Sequence, residues 1–264
     1  MLRSMYSGIS GMKNFQTKLD VIGNNIANVN TYGFKKSRVT FGDLMNQTVA
    51  GASAGSGDRG GTNAMQVGLG SKISTIDTIH TNSSQQTTSR SLDLSVNGDG
   101  YFVVKDGTNE FYTRAGNFYL DKTGNLVNAE GLKVMDKDGN KITIPEDAQS
   151  FNIGKLGEIN IIGADGKATT PVQLLAVATF NNSSGLTKAG DNIFAVSSNS
   201  GLAKKDIAGS AGHGTITSGS LEMSNVDLSE EFTDMIVAQR GFQANSRIIT
   251  TSDEILQELV NLKR

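Results

Sequence analysis

Apolar side chains recur with helical spacing over the first 29 residues of the chain. They are Leu2, Met5, Ile9, Met12, Phe15, Leu19, Ile22, Ile26 and Val29. The gaps between them are three or four residues and average about 3.4, close to the 3.5-residue repeat of a coiled-coil seam. Asn30 and Gly33 follow, and both residue types favour the left-handed conformation that ends many helices. The pattern predicts a helix that ends near residues 30–33, in an N-terminal segment covering 1–34.

A second long helix is predicted at the other end of the chain. Apolar residues stand at every seventh position: Leu228, Met235, Phe242, Ile249 and Leu256. The companion positions are mixed, because Phe232 and Val260 are apolar whereas Gln239, Ser246 and Asp253 are polar. Asp227 and Glu230 have the spacing of an N-cap with its capping-box partner. We therefore expect a connector and a C-terminal helix within 216–264.

Neither predicted helix has the charged outer face that is typical of a helix exposed to water. Residues 21–34 contain no charged side chain, and residues 241–252 contain only Arg247. Neutral faces suit helices that are packed on several sides, because a buried unpaired charge is costly. An ordinary helical hairpin with weakly charged surfaces is the alternative. Because the two helices stand at opposite ends of the chain and both are suited to packing, we favour a role in assembly.

The segment between the helices has the pattern of short β-hairpins. Residues 35–74 are predicted to be an extended connector, and 50–72 within it are rich in Gly and Ser and read as a flexible loop. From residue 75 to 215, turn signals separate short apolar runs at intervals of about ten residues. The run at 173–180 is expected to be the most buried strand. The prediction is an α+β fold: long N- and C-terminal helices pairing as a coiled coil, with a central, mainly antiparallel all-β domain.

Composition narrows the possible functions by exclusion. Charged residues make up 19% of the 264 residues, the net charge is −2, and there is no Cys or Trp. This charge provides no attraction for nucleic acid or an anionic membrane, and no apolar run is long enough to cross a membrane. Without Cys there is no disulfide framework and no thiolate metal site. The first residues lack the apolar block of a cleavable secretory signal.

No group of residues has the spacing of a catalytic or metal centre. His80 and His213 have no motif around them and are expected to be ordinary surface histidines. Residues 136–140 (DKDGN) resemble the start of a calcium loop, but the Gly is in the fourth place and a hairpin turn explains them better. We expect no catalytic residues, no cofactor, no metal and no enzyme activity.

Two further motifs are too incomplete to assign a ligand. Residues 68–72 (GLGSK) lack the third Gly and the strand-to-helix setting of a phosphate-binding loop. Lys35, Lys36 and Arg38 form a basic cluster that is too short for a nucleic-acid surface.

Five segments closely resemble the axial proteins of the bacterial flagellar rod and hook. They stand in that family's order along the chain: Leu19–Lys35, Ser91–Phe102, Tyr112–Phe118, Gly219–Asp227 and Met235–Ser246. The first contains the signature residues Asn24, Asn28, Asn30, Gly33 and Phe34. The resemblance implies that the terminal helices pair and line a tubular helical filament, while the β domain forms its outer layer.

The resemblance also implies the partners and the location. The partners are further copies of the chain, other rod, hook, cap and hook-filament junction proteins, and the flagellar export apparatus, without nucleic acid or membrane insertion. The location is the hook or basal body, reached through the flagellar channel. In the N-terminal helix, the residues expected at the assembly interface are Leu2, Met5, Ile9, Met12, Phe15, Leu19, Ile22, Asn25 and Ile26. In the C-terminal helix, they are Leu228, Phe232, Met235, Phe242, Ile249, Leu256 and Val260.

Within this family, two assignments compete. The segments 19–28 and 255–264 resemble short hook proteins of Gram-positive bacteria, which favours the hook, a joint that transmits motor torque. The chain length and the segment 66–70 suit the distal rod, the drive shaft, equally well. The hook is the main interpretation and the rod is the alternative. Outside the family, the alternative is a secreted glycan-binding or adhesive β module, for which a chain with no Trp and five Tyr offers few aromatic contacts.

Overall fold

The chain folds into two compact units in a computed structural model that describes residues 2–55, 60–145, 147–163 and 172–262. The helical unit comprises Met1–Ala27, Ser37–Thr78 and Asp227–Arg264. The β unit comprises Asn28–Lys36 and Ile79–Val226. The chain therefore passes between the two units after residues 27, 36, 78 and 226.

Two long helices pack against each other in the helical unit. Helix α1 covers Leu2–Ala27 and helix α2 covers Leu228–Asn261. They run antiparallel, because the start of α1 lies against the second half of α2 and the end of α1 lies against the start of α2. The predicted N-cap is confirmed: the side chain of Asp227 accepts hydrogen bonds from the backbone N–H groups of Ser229 and Glu230. No helix in the described ranges is both long and apolar enough to span a membrane.

Residues 37–78 of the helical unit form a β-arm of paired antiparallel strands. Its strands are β1 Ser37–Asp43, β2 Asn46–Ala50, β3 Met65–Gly68 and β4 Ser71–Thr78. Strand β1 pairs with β4, β2 pairs with β3, and a bridge between Ser53 and Thr62 continues the ladder. Composition predicted a flexible loop for residues 50–72, but β3 lies within this range and pairs with β2. Local composition does not reveal a pairing between residues that are far apart in sequence. Residues 56–59 lie outside the described residues.

The β unit is built from antiparallel strands. They are β5 Gln85–Thr87, β6 Leu94–Asn97, β7 Tyr101–Asp106, β8 Asn109–Thr113, β9 Tyr119–Leu120, β10 Leu126–Val127, β11 Lys133–Val134, β12 Ser150–Ile153, β13 Glu158–Ile162, β14 Gln173–Leu174, β15 Ala176–Thr179, β16 Thr187–Gly190, β17 Ile193–Ala195, β18 Lys204–Ile207, β19 Thr215–Ser218 and β20 Ser220–Glu222. The main sheet has the order β16-β17-β8-β7-β11-β10-β9, and β15 joins β7 to β18. Smaller sheets pair β12-β13-β14, β6 with β19, and β5 with β20. A short 3₁₀ helix covers Ser183–Gly185. Together with α1 and α2, this arrangement confirms the predicted α+β fold.

Two clusters of buried apolar side chains hold the β unit together, and the larger one contains Phe102 and Phe118. Phe102 and Phe118 are fully buried and meet edge to face, with 5.2 Å between their ring centroids. Residues 175–178 are fully buried, in agreement with the prediction that the run at 173–180 contains the most buried strand. Strands β6 and β19 bring Leu94 and Ile216 into the same core.

Candidate assembly interface

Small residues allow α1 and α2 to approach each other closely. A Cβ atom added to Gly241 would lie 2.6 Å from Cζ of Phe15, and one added to Gly11 would lie 2.8 Å from Nδ2 of Asn245. Real Cβ contacts are longer than this, so both glycines make room for a side chain of the opposite helix. Glycine in the middle of a helix costs about 1 kcal/mol relative to alanine, and here close packing offsets that cost.

The two helices offer a matched pair of substitutions. We predict that Gly241→Ala lowers the free energy of unfolding, because the clash with the Phe15 ring exceeds the gain in helix propensity. Gly23 also lies in α1, but a Cβ atom there would have nothing within 4 Å, so Gly23→Ala should raise stability by about 1 kcal/mol. Urea unfolding of the two variants measures both effects. Equal changes in the two variants would contradict the proposed close approach.

The buried face of α2 follows a seven-residue repeat that differs from the predicted companion positions. Glu231, Ala238 and Ser252 are buried, and Asn245 of the same repeat touches Gly11. These positions lie three residues after the apolar row at 228, 235, 242 and 249. The companion positions predicted from the sequence lie four residues after that row, at 232, 239, 246 and 253. The difference arises because small and hydrogen-bonding side chains, rather than apolar ones, occupy the closest part of the contact.

The expected interface residues fall into a covered group and an exposed group. Covered or half-buried in the chain are Met5, Met12, Phe15, Leu19, Ile22, Asn25, Ile26, Met235, Phe242, Ile249 and Leu256. Exposed are Ile9, Leu228, Phe232 and Val260, the last two at 50% and 65%. The side chain of Leu2 lies outside the described residues. The exposed group is free to contact another molecule, while the covered group holds the helices and the β-arm together.

Asn25 ties three elements of the helical unit together. Its side-chain amide Nδ2 donates to the Ser37 carbonyl oxygen at 2.9 Å and to Oε2 of Glu231 at 3.2 Å, and its Oδ1 accepts from the Ser37 N–H at 3.0 Å. Asn25 is 1% exposed. The bonds join the end of α1 to the start of β1 and to the first turn of α2. A shorter or apolar side chain would leave buried polar groups without partners.

Asn225 has a similar role in the β unit. Its Oδ1 accepts from the Lys36 N–H at 2.7 Å, and its Nδ2 donates to the Ile79 carbonyl oxygen at 2.8 Å and to Oγ1 of Thr81 at 3.0 Å. Lys36 and Ile79 are the residues at which the chain leaves and re-enters this unit. The side-chain amide of Asn225 thus bonds the backbone at two of the residues where the chain enters or leaves the β unit. A third such residue, Val226, is its neighbour in sequence.

The signature residues from 28 to 34 form a tight turn in the β unit. Oγ1 of Thr31 donates to Oδ1 of Asn28 at 3.1 Å, and the N–H of Gly33 donates to the Glu222 carbonyl oxygen at 2.9 Å. Gly33 has a φ of +69°, and a Cβ there would lie 2.5 Å from the backbone nitrogen of Ala115. Phe34 is buried, whereas Asn30 is exposed, as is Asn24 in α1.

A buried charge network follows directly after this turn. Nζ of Lys35 lies 2.7 Å from Oε1 of Glu222, and Nη1 of Arg114 lies 3.1 Å from Oε2 of the same carboxylate. All three side chains are at most 2% exposed. Burial lowers the pKa of Lys35, and the Glu222 carboxylate partly offsets this effect. The sequence pattern grouped Lys35 with Lys36 and Arg38 in one basic cluster, but Lys35 is buried, while Nη2 of Arg38 lies 4.0 Å from Oδ2 of Asp77 and both side chains are exposed.

Both histidines depart from the expected surface positions. His213 is 7% exposed, because the glycine-rich loop folds its ring onto the carbonyl oxygens of Ser210 and Lys204, at 2.8 and 3.0 Å. His80 is half-buried, and its Nδ1 lies 2.7 Å from the Tyr101 hydroxyl. Desolvation, followed by the charges of Lys35, Lys188 and Arg114, lowers the pKa of His80 to about 4.

This environment predicts a loss of stability in acid. Unfolded His80 binds a proton near its usual pKa of 6.5, whereas folded His80 does so only near 4, so its contribution is complete above pH 6.5 and is lost as the pH falls to about 4. The shift corresponds to roughly 3 kcal/mol. The free energy of unfolding of the wild type should therefore fall relative to that of His80→Gln over this interval. Parallel pH curves for the two proteins would contradict the prediction.

The remaining motifs have structural roles. Oδ1 of Asp136 accepts from the backbone N–H groups of Lys137 and Leu174, at 2.6 and 3.1 Å, which fits a turn. In the segment 68–72, a Cβ at Gly70 would lie 2.3 Å from Oγ of Ser10, so this glycine allows the β-arm to lie against α1. Within the described ranges, no group of three or more acidic or histidine side chains is arranged to hold a metal ion.

Three side chains that link distant segments of the β unit were not predicted from the sequence. Glu222, Arg114 and Asn225 all lie in segments that carry the family resemblance, and that position is the signal that could have singled them out. Their hydrogen bonds join residues up to 189 positions apart in sequence. Such pairings depend on the three-dimensional fold and leave no local periodicity.

Three protein-family models match the chain. Residues 5–35 match the flagella basal body rod protein model, 95–161 match the flagellar hook protein FlgE/F/G D1 domain, and 217–262 match the flagellar basal body rod FlgEFG protein C-terminal model. The matched ranges include most of α1, the signature turn, the strands from β7 to β12 and α2.

Individual relatives cover the whole chain. The flagellar basal-body rod protein FlgG of Bacillus subtilis (strain 168) is 62% identical over 265 residues, covering 100% of both chains. From Borreliella burgdorferi, the FlgG rod protein is 37% identical over 279 residues and the flagellar hook protein FlgE is 34% identical over 441 residues, again with both chains covered completely. The alignment with the hook protein is thus far longer than this chain of 264 residues.

Proposed function

Because the chain belongs to the family of bacterial flagellar basal-body rod and hook proteins, we propose that it is a rod subunit that assembles with further copies of itself. Its place is the flagellum, and it is a structural protein of the axial assembly. We also propose that the chain has a structural role and catalyses no reaction. The supporting observation is the full-length identity of 62% with a basal-body rod protein.

The comparison supports the rod better than the hook. Against the rod protein of Bacillus subtilis, the alignment of 265 residues leaves almost no room for an insertion in either chain. Against the hook protein of Borreliella burgdorferi, the alignment extends to 441 residues. The hook assignment drawn from segments 19–28 and 255–264 is compatible with the family, but the alternative of a distal rod protein has more support.

Complementation separates the two assignments. Expression of this chain in a Bacillus subtilis strain that lacks its FlgG rod protein should restore rods and swimming. Expression in a strain that lacks its hook protein should not. Restoration of the hook strain alone would overturn the rod proposal in favour of the hook, and restoration of neither strain, with normal expression and export, would contradict it.

The assembly surface is proposed to include the exposed apolar residues of α1 and α2. Leu228, Phe232 and Val260 on α2 and Ile9 on α1 are at least 40% exposed, although all four belong to the predicted apolar rows. Exposed apolar side chains gain stability when another molecule covers them. Head-to-tail contacts that do not close into a ring produce a helical filament, the form that a tube of many copies requires. The other proposed partners are the flagellar export apparatus and the rod, hook, cap and junction proteins.

Phe232 provides a direct test of this surface. We predict that Phe232→Asp abolishes or strongly reduces polymerisation and motility, because a charge would be buried between copies. The unfolding temperature of the monomer should change little, since Phe232 is 50% exposed there. Leu202→Asp in the β unit, at an 88% exposed apolar site, is the matched control and should still assemble. Electron microscopy and sedimentation measure the outcome, and normal filaments from Phe232→Asp would exclude this residue from the surface.

A further inference from the structure

The chain contains a single Asn-Gly dipeptide, at residues 97–98, where strand β6 ends. In such a dipeptide the backbone nitrogen of the glycine can attack the side-chain amide carbon of the asparagine. Glycine permits this approach better than any other residue, because it has no Cβ beside the attacking nitrogen. The assembly proposal uses neither residue.

The fold leaves both reacting groups of this dipeptide unoccupied. Asn97 is exposed, and its side-chain amide has no hydrogen-bond partner in the part of the chain that the structure describes. The N–H group of Gly98 likewise donates to none of the described residues. A nitrogen whose proton is not held in a hydrogen bond loses that proton more readily, so it is available for attack.

Two other exposed asparagines in the β unit provide a contrast. The N–H group that follows Asn82 donates to Oε1 of Glu222 at 3.3 Å. The N–H group that follows Asn199 donates to the Ser197 carbonyl oxygen at 3.3 Å. In both cases the neighbouring backbone nitrogen is held by the fold, and in both cases the next residue is a serine with a Cβ.

We propose that Asn97 is a site of spontaneous deamidation in the folded protein. After hydroxide removes its proton, the Gly98 nitrogen bonds to Cγ of Asn97, and the bond from Cγ to Nδ2 breaks, so that the amide group leaves as ammonia with a proton from water. Water then opens the cyclic imide at one of its two carbonyl carbons. Attack at Cγ gives aspartate, and attack at the backbone carbonyl carbon gives isoaspartate. The net reaction consumes water, releases ammonia and involves no oxidation or reduction.

The isoaspartate product lengthens the backbone at a place where the fold holds it on several sides. Asn97 pairs with Thr215 of β19, and Nη2 of Arg114 donates to the Gly98 carbonyl oxygen at 2.8 Å. A Cβ added to Gly98 would lie 3.0 Å from Cα of Gly214, so these two backbone segments are in contact. An additional methylene group in the chain moves the Gly98 carbonyl away from Arg114, which is 2% exposed. The isoaspartate form is therefore less stable, because a buried donor loses its acceptor.

Peptide mapping by mass spectrometry of the folded, full-length protein tests the site. During incubation in warm neutral buffer, Asn97 should convert several-fold faster than Asn82 and Asn199, and all three are measured in one digest. A sample digested without incubation corrects for conversion during digestion. Mildly alkaline buffer should accelerate the reaction, because the attacking nitrogen must lose its proton. Conversion of Asn97 that is no faster than that of the other two would overturn the proposal.

Unfolding in urea separates the effect of the fold from that of the sequence. It should accelerate the conversion of Asn82 and Asn199 more than that of Asn97, since the fold holds only the N–H groups that follow the first two. A larger acceleration at Asn97 would show that the fold protects this site, and it would contradict the proposal.

Two substitutions test the consequence for Arg114. Asn97→Gln should resist conversion, because its longer side chain closes a ring much more slowly. Asn97→Asp has the charge of the products without the longer backbone and should unfold in urea like the fresh wild type. The incubated wild type should gain a less stable fraction with an additional negative charge, and Asn97→Gln should not. Equal losses of stability in the wild type and Asn97→Gln would overturn the link to deamidation. None of these measurements depends on polymerisation, so the rod assignment is tested separately.

Discussion

Glu222→Gln should destabilise the protein by about 3–5 kcal/mol, since it leaves two buried cations without a carboxylate. Lys35 and Arg114 each bond a different oxygen of Glu222, at 2.7 and 3.1 Å. A glutamine of the same size has one acceptor oxygen, and its NH₂ group would face a second donor. Urea unfolding at neutral pH measures the loss. The segment after α1 and the strand before α2 both use this carboxylate, so motility should fall with stability.

Glu110→Gln is the matched control for this substitution. Glu110 lies 2.6 Å from Nζ of Lys205, a shorter distance than either contact of Glu222, but the two side chains are 34% and 27% exposed. Water can solvate either partner after the change, so the expected cost is at most about 1 kcal/mol. Equal losses in the two variants would show that burial does not determine the strength of the Glu222 network.

The network should also show coupling and a dependence on pH. Adding Lys35→Met to Glu222→Gln removes one of the unpaired cations and should recover part of the lost stability. Burial already holds the pKa of Lys35 below 10.5, and Glu222→Gln removes the group that partly offsets this effect. Folded Lys35 then binds fewer protons than unfolded Lys35 as the pH rises towards 10.5. The deficit of Glu222→Gln should therefore shrink in alkaline solution.

Periodicity predicted the elements of this fold but not the contacts between them. The apolar rows of α1 and α2 and the turn signals of the β unit are local, and the elements appear where these patterns place them, except that α1 ends at Ala27, before the predicted end at 30–33. Only residues 50–72 of the β-arm were predicted to be a flexible loop, and β3 within them pairs with β2, a contact that local composition does not reveal. The close contact of α1 with α2 uses Gly241 and Asn245, which no apolar pattern marks.

The same distinction applies to the candidate site. The apolar rows identified Phe232 and Val260 as interface residues, and their exposure in the monomer keeps that prediction open. Lys35 was assigned only to a short basic cluster, because its partner Glu222 is 187 residues away in sequence. A buried ion pair becomes visible only when the fold brings both charges to one place. The rod and hook alternatives share these local features, so the choice between them depended on full-length comparison.

Gly33→Ala should cost about 4 kcal/mol or more, at the upper end of what single substitutions do. The φ of +69° already disfavours any residue with a Cβ, by about 1–2 kcal/mol. The added Cβ would also lie 2.5 Å from the nitrogen of Ala115 and 2.7 Å from the carbonyl carbon of Arg114. These are backbone atoms, which cannot rotate away as a side chain can. Relief of the clash would pull the turn away from the carbonyl oxygen of Glu222, to which Gly33 donates, and would disturb Arg114.

Gly131→Ala isolates the steric part of this effect. Gly131 has a similar φ of +82° in the same unit, but a Cβ there would have nothing within 4 Å. Gly131→Ala should therefore lower the free energy of unfolding only by the conformational cost of about 1–2 kcal/mol. Urea unfolding of both variants gives the difference, and swimming in the rod-deletion strain shows its consequence. If Gly33→Ala were no more costly than Gly131→Ala, the signature glycine would be needed only for its backbone conformation, and its contact with the 114–115 backbone would have no role in stability.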